Sequence, residues 1–282
     1  MSPQQDHSLP PQEKEQFDNN GFLGPFTLLE PEEMKETWER IKRELQVLDR
    51  AAYPNSKFHF DRHLDVAILQ ELVSSPRIVA KMQSILGPEV LCWRSQWFPK
   101  KPGDEGTDWH QTQSFTEFEG DPKLAPTKQH TGPYELTAWL SIFEATEENG
   151  CLQVIPGTHR EKLNYDEIKN ITFNPTQMHQ KYVNGVKRGS YGYSYDQLKL
   201  DPNWSPDESR AVSLTLRPGQ FVIFTSRLLH SSLPNVTQDD ERLGYAIRYC
   251  AGDVQVYPNR DSFSLLGETH SLERYRPLVV AG

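Results

Sequence analysis

The sequence predicts a mainly β fold: a sandwich of short strands, buttressed by helices that come first in the chain. Two observations predict it. Up to residue 86 the apolar residues recur at spacings of three and four, the period of a helix. From residue 90 they fall in short runs rich in β-branched and aromatic side chains, bounded by Gly, Pro, Asn or Asp. Helices first and many strands later indicate packed layers rather than alternating βα units. At 282 residues the chain has the size at which an all-β sandwich or barrel still forms one domain.

The elements follow in order. Residues 1–11 are polar and proline-punctuated and are expected to form a flexible N-terminus, leaving 12–282 as a single domain. Helical patterning from Glu13 to Phe17 runs into an Asn20-Gly21 turn. Pro31-Glu32-Glu33 opens a second helix, because proline suits the first helical position and acids suit the positive end of the helix dipole. Its apolar stripe is Met34, Trp38, Ile41, Leu45 and Leu48. A further helical stretch covers roughly 66–86 through Leu69, Leu72, Ile78, Met82, Ile85 and Leu86. These helices are expected to pack on the outside of a sheet. Strands are expected at 90–98, 136–143, 152–155, 212–216, 221–225 and 243–249. A polar insert at 160–207, rich in Tyr and Asn, interrupts them. An insert this long inside a compact domain is more often a lid or a binding loop than idle connection.

Composition narrows the function. The net charge of −9 is spread along the chain, a solvated acidic surface that argues against nucleic acid or anionic membrane as a partner. No apolar run approaches the ~18 to 20 residues needed to cross a bilayer. The opening MSPQQDHSLPPQEKEQ has no secretory apolar core, so a cytoplasmic location is expected. Cys92, Cys151 and Cys250 form no CxxC pair and read as small buried hydrophobes rather than as a disulfide or zinc framework.

Of nine histidines, two stand out by context. His110 follows the turn-rich run Lys101–Gly106, within Trp109-His110-Gln111-Thr112. His230 comes just past the 221–225 strand, within Leu228-Leu229-His230, where the mouth of a barrel holds metals well. Arg248 follows on a later strand. Spacing alone is weak evidence, since imidazole suits iron, zinc, copper and nickel alike. His7, His59, His63, His179 and His270 need no special role, and His130 is ambiguous.

The local words around the two histidines resemble the phytanoyl-coenzyme A dioxygenase superfamily. Within it they resemble the nonheme iron halogenases that chlorinate aminoacyl groups on carrier proteins in natural-product and antibiotic biosynthesis, a group typified by the threonine chlorinase of syringomycin biosynthesis. The matching stretches include Asn20-Gly21-Phe22, Leu91-Cys92-Trp93-Arg94 and Pro102-Gly103-Asp104-Glu105-Gly106-Thr107-Asp108-Trp109-His110-Gln111. They continue through Asn149-Gly150-Cys151-Leu152-Gln153, Ile155-Pro156-Gly157-Thr158-His159 and Pro218-Gly219-Gln220-Phe221. The likeness runs from about residue 14 to residue 275.

The resemblance implies a double-stranded β-helix, a jelly roll of the cupin kind with the N-terminal helices outside. It implies an enzyme using Fe(II), 2-oxoglutarate, O2 and chloride, with His110, His230, Thr112 and Arg248 as its catalytic set. His110 and His230 would ligate the iron. Arg248 would pair with the far carboxylate of 2-oxoglutarate, helped by Thr107 and Trp139. Thr112, Thr116 and Thr137 would stand near the halide, and Gln96, Phe98 and Phe115 near an aminoacyl group carried on phosphopantetheine by a carrier protein.

Position 112 is the departure that matters. Hydroxylases of this kind carry Asp or Glu there, completing a facial triad of two His and one carboxylate. The halogenases carry Ala or Gly, and a halide supplies the missing anion. This chain carries Thr, which can contact a halide, hold a water, or crowd the position. Thr116 and Gln96 also depart from the best-known member, which has Asn and Glu there. Asp108 is a rival ligand, because strand alternation puts it on the face of His110. Two other readings stay open: a hydroxylase with a two-His iron site, and a catalytically silent jelly-roll binding protein. Product mass with and without chloride separates the first from a halogenase; absence of an iron–2-oxoglutarate charge-transfer band would mark the second.

Overall fold

Six antiparallel strands form the main sheet, in the order Phe22–Thr27, Gln220–Thr225, Glu135–Ser141, Arg242–Ala251, Val90–Lys100 and Leu278–Ala281. The computed structural model describes residues 6–49, 51–56, 59–115 (backbone alone at 114 and 115), 122–161, 163–165, 174, 176–265 and 268–282. A smaller sheet carries His230–Ser232, Leu152–Val154 and Val212–Leu214, also antiparallel. The protein is mainly β, as its sequence predicts.

The central strands are buried on both faces, which is why they read as apolar runs; Glu135–Ser141 is buried at every position. Alternation sorts their side chains. Leu136, Ala138, Leu140, Tyr245 and Ile247 pack outward with the helices, in a core that includes Met34, Ile41, Leu69, Ile78 and Met82. Trp139, Val222, Phe224 and Ala246 face inward onto Leu152, Val154 and Leu214 of the smaller sheet.

Helix α1 (Pro11–Asn20) stops at Gly21, whose φ of 80° lets its N–H reach Phe17 O at 2.7 Å. Helix α2 (Pro31–Glu44) starts with the expected proline and a capping box between Glu30 and Glu33. It ends earlier than the stripe suggests, and Leu48 lies exposed beyond it. The single helical stretch expected over 66–86 is two helices, α3 (Ala67–Val73) and α4 (Pro76–Leu86). Pro76 is the cause: it holds Ser75 extended (ψ 129°) and restarts the helix at its first position. Residues 7–9, expected to be frayed, are tied to α4. Leu9 is buried and its N–H donates to Ser84 Oγ at 2.9 Å, while Lys81 donates to the His7 carbonyl.

Two strands of the main sheet went unread in the sequence, Phe22–Thr27 and Leu278–Ala281, as did the short strands outside it other than Leu152–Val154 and Val212–Leu214. The first two are sheet edges, and Phe22–Thr27 tolerates Pro25 for that reason. The three cysteines are free and buried, as expected. Among the described residues no helix is long and apolar enough to cross a membrane.

The 160–207 insert contains a hairpin, Met178–Val183 with Val186–Tyr191, turning at Asn184-Gly185 with both residues at positive φ (50° and 80°). Its second strand runs parallel to Gly106–Thr107. Arg188 anchors it, fully buried, donating to Ser231 Oγ (3.0 Å), Gln153 Oε1 (3.0 Å) and Glu208 Oε2 (3.2 Å). The hairpin therefore forms one wall of the space between the two sheets.

Candidate active site

That space is a cavity of about 520 Å³. His110, His230, Thr112, Arg248, Thr107, Trp139, Thr137, Gln96 and Phe98 all line it, residues that the sequence scatters over more than half the chain. Thr116 lies outside the described residues, as does the side chain of Phe115.

His110 and His230 form a cross-strand pair. The N–H of each donates to the carbonyl of the other, at 3.0 and 3.1 Å, and the two rings lie 4.2 Å apart between centroids. Each Nδ1 is 2.8 Å from a backbone carbonyl two residues upstream, Asp108 for His110 and Leu228 for His230. A carbonyl only accepts, so each Nδ1 carries the proton and each Nε2 the lone pair that a metal needs. Burial drives the His110 pKa down to about 4 and that of His230 well below its ordinary value, so both rings are neutral near pH 7. Tyr195 of the insert stacks on His110 at 4.8 Å and 19°, and Phe224 packs on His230 at 5.1 Å.

Among the described residues no group of three His, Cys, Asp or Glu could hold a metal, so no acid joins the pair. Thr112 opens a short 3-10 turn, and its hydroxyl donates to the Ser226 carbonyl at 3.3 Å. Asp108 does not face the cavity. Its carboxylate accepts from the Trp109 N–H at 2.9 Å and pairs with Lys181 of the insert at 2.6 Å, which disposes of it as a ligand. His130 is outside the cavity, 3.0 Å from Asp253.

Two arginines of the same strand face the cavity, six residues apart, roughly 20 Å along a strand. Arg248 stands opposite Thr137 and Arg94, with the buried Glu135 nearby. Trp139 leans the other way. Its indole lies over Gly244, where a Cβ would meet the ring at 2.2 Å, and reaches the Arg242 guanidinium at 5.3 Å. Trp139 and Arg248, grouped by the sequence reading, thus belong to different ends of the cavity. Thr107, hydrogen-bonded through Ser232 Oγ at 3.0 Å, lines the cavity with Arg242 and Trp139.

Sequence reasoning missed Arg242. It is buried, lies beside Lys100 in register, and has no carboxylate within ion-pair distance among the described residues; its Nε has no hydrogen-bond partner. Burial lowers its pKa to about 10, leaving it charged near neutrality, and burial with Arg242 beside it brings Lys100 down to about 7. A buried guanidinium with no carboxylate against it among the described residues fits an anionic ligand. Glu135 and Tyr195 were missed too, the first as an unremarkable strand start, the second inside the insert. Gln96 and Phe98 share the wall, Phe98 5.1 Å from Trp139.

The arrangement can bind a transition metal through two neutral imidazoles, with buried cations ready for an acidic co-substrate. Known proteins carry the same frame. CytC3 with Fe(II) and alpha-ketoglutarate is 33% identical, covering 99% of this chain and 90% of that one with a TM-score of 0.75. Among curated relatives, a probable alpha-ketoglutarate-dependent hypophosphite dioxygenase of Stutzerimonas stutzeri is 26% identical over 192 residues, 68% of this chain and 56% of that protein. An ectoine dioxygenase of Sphingopyxis alaskensis is 25% identical over 181 residues, 63% of this chain and 52% of that protein. The chain spans about half the length of these two curated relatives. The family model for phytanoyl-CoA dioxygenase matches residues 17–244, which include both histidines and Arg242. By that match and by the CytC3 likeness, the chain belongs to the phytanoyl-CoA dioxygenase family of Fe(II)/2-oxoglutarate-dependent enzymes.

Proposed function

We propose that the protein is an aliphatic halogenase on a double-stranded β-helix scaffold, placing chlorine on an aminoacyl group tethered to a carrier protein. One observation carries this: among the described residues no carboxylate accompanies His110 and His230, and Thr112 stands at the third position. Metal charge must be balanced, and a protein that withholds its anion leaves room for a halide.

Bound iron would supply the oxidising power toward an unactivated carbon. The chain's own residues supply the rest. His110 and His230 present their Nε2 atoms, oriented by the carbonyls of Asp108 and Leu228. Arg242, rather than Arg248, is the residue for the far carboxylate of 2-oxoglutarate, with Thr107 and Trp139 beside it. Its guanidinium lies over the Trp139 ring and, among the described residues, has no carboxylate within ion-pair distance, whereas Arg248 has the buried Glu135 as a diagonal neighbour. Thr137 and Arg248 flank the open position from the main sheet. Gln96 and Phe98 are candidates for the substrate wall, and Tyr193 and Tyr195 close the insert side against water.

Hydroxylation is the second reading, with water at the open position. Glu135 favours it, since a carboxylate near Arg248 opposes a halide there.

The test is an anaerobic titration of iron(II) and 2-oxoglutarate with chloride, then aerobic turnover with aminoacyl carrier protein and mass spectrometry. A halogenase yields a chlorinated product that disappears without chloride. A product heavier by one oxygen at every chloride concentration leaves the hydroxylase. No charge-transfer band would leave a binding protein.

A further inference from the structure

Among the described residues, Glu135 is the one buried acid facing the cavity whose carboxyl has an oxygen, Oε2, with no hydrogen-bond partner. It precedes Thr137 by two residues and so shares its cavity-facing side. Arg248 is the cross-strand partner of Thr137, which makes Glu135 and Arg248 diagonal neighbours on one face, within reach of long side chains. Ser226 completes the link. Its side chain lies beside the Glu135 carboxyl, and its carbonyl accepts the Thr112 hydroxyl.

We propose that Glu135 decides between halide and water at the position left open by Thr112: its carboxylate shares a sheet face with Arg248, and an entering halide competes with it for the charge of that arginine. The proposal rests on the halogenase reading and adds to it a residue that sets the outcome. With Glu135 ionised, the Glu135–Arg248 pair is neutral and a second anion beside it is opposed. With Glu135 protonated, Arg248 is left positive and a halide is drawn in.

The groups facing Glu135 are Arg248 and Cys250 from Arg242–Ala251, Arg94 and Trp93 from Val90–Lys100, Ser226 from the turn after Gln220–Thr225, and Tyr134 from its own chain segment. Burial raises its pKa to about 7; Arg248, Ser226, Trp93 and Arg94 act against that rise. The exchange therefore falls near neutral pH. Halide affinity increases as pH drops, because proton and halide bind together. At such separations two like charges change affinity by roughly 10-fold or more.

The experiment uses the full chain loaded with iron(II) and 2-oxoglutarate under nitrogen. Chloride is titrated at pH 6 and pH 8, following the visible charge-transfer band, for the natural protein, Glu135→Gln and Thr112→Ala. Lys100 also titrates near neutrality, but at the Arg242 end, and it is common to all three proteins. The expected result is chloride binding about 10-fold weaker at pH 8 than at pH 6 in the natural protein. Glu135→Gln should bind at both values as tightly as the natural protein does at pH 6. Equal pH dependence in the natural protein and Glu135→Gln, with chloride bound by both, overturns this inference and leaves the halogenase reading intact. Failure of all three proteins, Thr112→Ala included, to take up chloride or bromide removes both.

Discussion

His110 and His230 hydrogen-bond to each other through their backbones in both directions, so the two imidazoles are positioned by one antiparallel bridge rather than by two independent loops. Neither ring can shift along its strand without breaking the bridge. Replacing either by alanine removes half of the donors that the proposed site offers a metal. His110→Ala and His230→Ala should each weaken iron(II) binding by more than about 100-fold, the upper end of what even supporting residues around a metal command. Anaerobic titration of the charge-transfer band checks this; a variant with unchanged iron affinity would take its histidine out of the site.

Thr112→Asp puts a carboxylate where the family's hydroxylases have one. The new anion satisfies the metal charge, so chloride uptake should vanish and any product should gain oxygen instead of chlorine. Loss of the Thr112 hydrogen bond to Ser226 costs about 1 kcal/mol, small against a new metal bond. Chloride binding unchanged in Thr112→Asp would mean that position 112 does not border the halide at all.

The two arginines separate by substitution. Arg242→Gln deletes a buried charge that has no carboxylate within ion-pair distance among the described residues, and should raise the dissociation constant for 2-oxoglutarate by about 30-fold or more, as loss of a buried charge pair does. Arg248→Gln should change it by less than about threefold, while altering chloride affinity. Isothermal titration with both variants decides it. The opposite ranking would return the co-substrate carboxylate to Arg248.

Gly244 matters for the same end of the cavity. A methyl group there would meet the Trp139 ring at 2.2 Å, far inside contact distance, and must push the indole off Arg242. Gly244→Ala is expected to cost about 1–3 kcal/mol of stability and to weaken 2-oxoglutarate binding, with less effect on iron. Thermal melts and co-substrate titration measure the two effects separately.

The histidine pair was legible because local words carry it: turn, strand end and histidine stand together at His110 and at His230. The choice between Arg242 and Arg248 was not. Both sit at even positions of one strand and face the same side, so a period of two cannot distinguish them; what does differ, the lean of Trp139 over Gly244 toward Arg242, is a tertiary fact. Glu135 was hidden because one acid before an apolar run looks like a strand boundary, and its burial depends on a neighbouring strand more than 100 residues away. Other features were readable and passed over. Asn184-Gly185 is the ordinary sequence of a two-residue hairpin turn, and Pro76 was sufficient to split the helical stretch at 66–86.

The burial of Glu135 also predicts how stability varies with pH. Its folded pKa of about 7 lies above the ordinary value of 4.5, so the unfolded chain gives up that proton first as pH rises. The neutral carboxyl is compatible with its surroundings, and the stability it allows is fully present below about pH 4.5. That stability falls progressively and is lost as pH rises through 7, by an amount on the order of 3 kcal/mol at most. Glu135→Gln keeps the shape of the protonated acid and cannot ionise. Its melting temperature should match the natural protein near pH 5 and exceed it near pH 8, by several degrees for a domain of this size. Melts of the metal-free protein in low-chloride buffer isolate the effect. Parallel pH profiles for the two proteins would mean that Glu135 stays ionised throughout, held as a fixed partner of Arg248.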